Sequence, residues 1–173
     1  MEEFMEMLKY IVPSAVTGAV AFLMVKKMME QENRRHFAEV KKENLKYTTP
    51  VRLQAHERLI LLLERIDPVK VVNRTIQVGM TSKSLQFAML SAIKEEFDHN
   101  ITQQLYVSRQ CWSEVIKAKE DGLKLITVAA GKVDPSSDAI ELSKALILIQ
   151  AEQQFYTSLS AIETVKKEIS KLF

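Results

Sequence analysis

The sequence predicts an all-α protein: an N-terminal transmembrane helix followed by a helical bundle built on a long antiparallel helical hairpin. Three observations carry this expectation. Glycine and proline are scarce, with four of each, while Leu, Ile, Ala, Glu, Lys and Gln abound, a helix-forming composition. No stretch alternates apolar and polar residues with the period of a strand. One stretch, residues 10–25 (YIVPSAVTGAVAFLMV), is uncharged from end to end.

The uncharged stretch reads as a membrane anchor. A spanning helix needs about 20 mostly apolar residues. Met5, Met7 and Leu8 extend the run in front, with Lys9 snorkelling, and Met28 and Met29 extend it behind. Phe4 and Tyr10 fall at interfacial positions, and Pro13 falls near the start, where a lost hydrogen bond does least harm. Ser14, Thr17, Gly18 and Ala21 are small enough to admit a second helix. A cleaved signal peptide fits less well, because Glu2, Glu3 and Glu6 make the start acidic. A helix lying in the interface would carry a charged face, which this run lacks. A buried core helix is the third alternative. Basic residues crowd behind the run (Lys26, Lys27, Arg34, Arg35, Lys41, Lys42, Lys46), so the N-terminus is expected outside and the bulk in the cytoplasm. The expected order is an anchor over 1–29, a charged stalk helix over 30–50 and a cytoplasmic helical domain over 51–173, with residues 8–25 in the lipid bilayer.

Pro50 is expected to interrupt the stalk, with Thr49 capping the helix that follows. That helix, 51–66, is apolar on every side from Leu59 to Leu63, so it should be surrounded by protein. Asp67 and Pro68 cap and begin a short helix, and 75–80, with Gly79, reads as a loop. Thr81 or Ser82 then caps one long helix reaching about Lys132. Its stripe runs through Phe97, Ile101, Leu105, Ser108, Trp112, Val115, Lys119, Leu123, Ile126 and Ala130. Gly122 is a soft point within it. The turn at 131–137 holds Pro135, with Asp134, Ser136 and Ser137 competing as the next cap. The last helix carries the stripe Leu142, Leu146, Ile149, Tyr156, Leu159, Ile162, Ile169, Leu172. A short turn between long helices implies antiparallel packing.

The composition excludes several functions. A formal charge of +2 is too small to indicate nucleic acid. Cys111 is the only cysteine, so no internal disulfide forms. There is no glycine-rich phosphate loop. The chemistry-bearing stretch is 95–112 (EEFDHNITQQLYVSRQCW), where Glu96, His99, Asn100 and Gln103 form a polar face opposite the apolar stripe. Glu96 and His99 have the ExxH spacing of a helical metal ligand pair, but di-metal bundles need two copies and two further carboxylates. If the face is covered by 51–66, Glu96 requires a cationic partner among Arg52, Arg58 and Arg65. Arg52, Arg58, Arg65 and Arg74 are expected to pair with Glu57, Glu64 and other acids rather than to line an anion site. Trp112 falls on the core stripe and Tyr106 off it. Cys111 is too far from His99 to be activated by it and reads as an inert thiol.

Taken together, the N-terminal run, 52–68 (RLQAHERLILLLERIDP), 78–81 (VGMT), 95–108 (EEFDHNITQQLYVS), Trp112 and 166–173 (KKEISKLF) resemble an uncharacterised family of small single-pass membrane-anchored helical proteins of Bacteroidota. The resemblance covers nearly the whole chain. It implies a bacterial inner membrane and assigns no functional residue. The expected function is therefore a membrane-anchored cytoplasmic scaffold, non-enzymatic, that binds another protein or itself. The alternative is a metal-dependent helical-bundle enzyme using Glu96 and His99. No cofactor, nucleic acid or small-molecule substrate is indicated.

Overall fold

Strong helix formers run almost unbroken from the start of the chain, and helix α1 spans Glu2–Arg65. The computed structural model describes the backbone of residues 2–152 and 157–170 and, outside 2–6, 8–10, 12–14 and 157, their side chains. Two compact units divide within α1, Met1–Thr48 and Thr49–Phe173. Pro50 does not interrupt the helix as expected. Thr49, the expected cap, lies inside the continuous helix, and the neighbouring Thr48 hydroxyl donates to the carbonyl of Asn44 at 3.0 Å.

In the first unit every described side chain is exposed, including Phe22, Met28 and Phe37. Among the described residues no helix is long and apolar enough to cross a membrane. This overturns the expected transmembrane anchor, and with it the single-pass topology, the bilayer contact through 8–25 and the inner-membrane placement. The physical reason lies in the length and content of the run. At about 1.5 Å per residue, 10–25 covers about 24 Å, short of a hydrocarbon core of about 30 Å. Lys26 and Lys27 close it on one side, and Ser14, Thr17 and Gly18 dilute its apolarity. The roles expected of Phe4, Met5, Leu8, Lys9, Tyr10, Pro13 and Ser14 fall on side chains outside the described set.

The second unit is a helical bundle. Its core takes Leu59, Leu62, Leu63 and Ile66 from the end of α1. Helix α2 (Pro68–Thr75) begins as expected, with Asp67 Oδ1 accepting from the amides of Val69 (2.9 Å) and Lys70 (3.2 Å). Gly79 then turns the chain at φ 82°, a conformation costly for any residue with a Cβ. Helix α3 (Ser82–Asn100) starts at Thr81, whose hydroxyl accepts from Ser84 N at 3.2 Å.

The single long helix expected over 81–132 is divided. After Asn100 the chain tightens into a 3-10 turn, Ile101–Leu105, and restarts at Ser108 as α4 (Arg109–Ala130). Ser108 is extended (φ −69°, ψ 156°) and its hydroxyl accepts from Cys111 N at 3.1 Å, an N-cap in mid-stripe. Phe97 and Trp112 still meet across the break, ring centroids 5.4 Å apart, with Trp112 half-buried against the core. The next helix, α5 (Ala139–Glu152), is capped by Asp138, which accepts from Ile140 N at 2.9 Å; none of the three expected residues serves. Helix α6 is Thr157–Ile169. The expected positions Tyr156 and Leu172 lie outside the described residues. Helix α4 packs against α3, α5 and α6, and α3 packs against α2 and α5. The first arm of the expected hairpin is thus two helices, α3 and α4, because the side-chain cap at Ser108 divides what apolar periodicity alone would join.

Candidate functional site

An open polar feature of the second unit lies between α1 and α3. On α1, residues 51, 54, 55, 58, 61 and 65 follow the helical spacing that keeps one face together. On the opposite wall stand Ala92, Glu95, Glu96, His99 and Asn100 of α3, followed by Thr102, Gln103, Leu105 and Tyr106. Arg74 of α2 also lines this feature. Two hollows result, of about 610 Å³ and 250 Å³, and Arg58 lines both. At about 1.5 Å per residue, the α1 floor from 51 to 65 is about 21 Å long.

The residues singled out from the sequence fall along this groove. Glu96, His99 and Asn100 line the larger hollow, and Gln103, nearly buried, lines the smaller. Glu96 meets Arg65 Nε at 2.9 Å. Asn100 Nδ2 donates to the carbonyl of Glu96 at 2.9 Å, and His99 Nδ1 lies 3.2 Å from the carbonyl of Glu95. Of the three arginines expected as candidate partners of Glu96, Arg65 takes that place, while Arg58 and Arg74 do not form the expected pairs with acids. Glu64 pairs with Lys70, while Arg58, Arg65 and Arg74 converge on the larger hollow. Arg52 instead donates to the carbonyl of Tyr106 at 3.3 Å. Leu61 was expected inside protein, yet it is 56% exposed on the groove floor while Leu59, Leu62 and Leu63 are buried. The signal was available in the 58–61–65 spacing, but the apolar run masked it.

A second polar cluster is internal. His56 of α1 is fully buried. Its Nδ1 lies 2.6 Å from the carbonyl of Arg52, which can only accept, so Nδ1 carries the proton of that bond. Its Nε2 is 3.4 Å from Glu168 Oε1. Glu168 of α6 also accepts from the Ser108 amide at 2.8 Å and from the Ser108 hydroxyl. In a capping box the N3 residue would reach back to the N-cap amide. Here N3 is Cys111, and Glu168 does that work from another helix. Burial opposes ionisation of Glu168, but the bonds from Ser108 and the nearby His56 outweigh it and hold its carboxyl below the usual range.

This internal cluster contains a serine, a histidine and a carboxylate, but not in the order nucleophilic catalysis requires. Glu168 stands between Ser108 and His56, so the hydroxyl faces a carboxylate and not the imidazole. Burial, reinforced by Glu168, pushes the Cys111 thiol up to about 12, so it stays protonated at neutral pH. Among the described residues no three His, Cys, Asp or Glu side chains gather closely enough to hold a metal ion. The carboxylate of the ExxH pair is engaged by Arg65.

Comparison with curated proteins gives no match, and comparison with solved structures gives none. A family model matches residues 2–172, and the chain accordingly belongs to DUF7935, a family of unknown function.

Proposed function

We propose that this chain is a non-enzymatic helical interaction protein whose groove between α1 and α3 receives a segment of a partner. The observation that carries the reading is the groove itself: an open channel about 21 Å long at about 1.5 Å per residue, walled by two helices and offering both charge and exposed apolar surface. Grooves between helices are a recurrent way to hold a partner segment. The Bacteroidota origin belongs to the same reading and rests on the resemblance of the N-terminal run, 52–68, 78–81, 95–108, Trp112 and 166–173.

The test is site-directed photocrosslinking in cells. A photoreactive residue replacing Leu61, on the groove floor, is expected to capture a discrete partner. The same residue replacing Lys144, exposed on α5, is expected to capture none. The mass of the product separates a second copy of this chain from another protein. Equal products at both positions, or none at Leu61, would reject the reading.

A further inference from the structure

The groove's acceptors are already occupied while its strongest donors are not. Glu96 is taken by Arg65, and Glu95 accepts from the Ser91 hydroxyl at 2.8 Å. The Asn100 amide is spent on the Glu96 carbonyl. Arg58 and Arg74 have no ion pair or hydrogen bond among the described residues. Arginine presents a planar fork matched to a carboxylate. Arg74 lines the larger hollow, and Arg58 lines both.

Apolar surface accompanies the charge. Leu61 lies on the floor between the arginines, and Leu105, 77% exposed, lines the smaller hollow beside Tyr106. The floor length of about 21 Å matches about six residues of extended chain at about 3.3–3.6 Å each. A single small anion would leave most of this channel empty. A nucleic-acid strand carries a charge on every nucleotide, and Glu95 and Glu96 on the wall would repel such a continuous polyanion. Spaced carboxylates separated by apolar side chains meet both features.

Resting on the interaction reading above, we infer that the occupant is an extended acidic peptide segment of a partner protein. Its carboxylates engage Arg58 and Arg74 in the larger hollow, where an apolar residue packs on Leu61, and a further apolar residue packs against Leu105 and Tyr106 in the smaller one.

The full chain would be titrated into a short fluorescein-labelled peptide whose two Glu residues are separated by Ser-Leu-Ser, read by anisotropy at low salt. Saturable binding is expected, weakened about tenfold or more in the R58Q/R74Q variant and by high salt, because both arginines are exposed and screened. A matched peptide with Gln in place of Glu should not bind. Since Arg58 and Arg74 lie on the surface, the double variant should melt with the wild type. L61E, which adds a like charge to the floor, provides a second variant expected to weaken the acidic peptide. Equal binding of the Gln peptide, or undiminished affinity in R58Q/R74Q, overturns the inference. So does displacement of the peptide by a single-stranded oligonucleotide at lower concentration, which would assign the groove to nucleic acid. A crosslinked partner at Leu61 with no acidic-peptide binding discards the ligand class and keeps the interaction reading. Peptide binding lost in R58Q/R74Q without any Leu61 crosslink keeps the groove's chemistry and removes the cellular partner.

Discussion

Glu168 does three things with one carboxylate: it caps α4, accepts from the Ser108 hydroxyl and faces buried His56. Its folded carboxyl titrates below the ordinary value of 4.5. A depressed carboxyl contributes stability above the unfolded value, and the contribution is lost as pH falls through the folded one. Thermal melts from neutral to acid pH should therefore show a steeper loss below about pH 4.5 in the wild type than in Glu168→Gln, which should also be less stable at neutral pH. Equal acid limbs would mean that the carboxylate is not linked to folding. Glu96 should behave differently. Its partner Arg65 is 50% exposed, so the pair resembles a surface ion pair. Glu96→Gln should cost about 1 kcal/mol or less in a denaturant melt. Sequence reasoning found Glu96, His99, Asn100 and Gln103 because their spacing places them on one face. It did not find Glu168 or Ser108, since their relation spans 60 positions and no local pattern encodes it.

At the scale of elements, the caps of α2 and α3 were legible because Asp67–Pro68 and Thr81 are local signals. The break before α4 was not, because the apolar stripe continues in register through Phe97 and Trp112 while the backbone does not. Leu61 was misread for a related reason: in a run of five apolar residues, periodicity cannot say which one faces out. Gly122 supplies a test of helix packing. A Cβ there would meet the Ile66 carbonyl, Ile93 Cδ1 and Pro68 Cγ, each at 3.7 Å, which is ordinary contact. It sits inside α4, where glycine costs about 0.5–1 kcal/mol against alanine. Gly122→Ala should thus raise stability by about that amount, measured by chemical denaturation. A loss instead would show that α4 sits closer to α1 and α2 than these distances imply.

For the whole molecule, the core belongs to the second unit, while every described side chain before Thr49 is exposed. Residues 49–173 alone should therefore fold cooperatively, with a melting temperature within a few degrees of the full chain, about what a change of 1 kcal/mol moves in a domain of this size. Non-cooperative melting of the shorter chain would assign the first unit a structural role. The all-α composition was readable at this scale, but the transmembrane reading failed because absence of charge was given more weight than length and hydropathy. The helix starts carry one more consequence. At α3, Ser82 N donates to Ser137 O at 2.8 Å and Lys83 N to Pro135 O at 3.0 Å, so both leading amides wait for the loop after α4. At α4, the Ser108 amide waits for α6. During synthesis the local caps at Thr81 and Ser108 form first, but these amides keep water as their partner until distant chain has left the ribosome. The last helix thus acts as a closing step for the earlier ones, and a nascent chain stalled before Glu168 would present an unfinished α4 to proteases and chaperones.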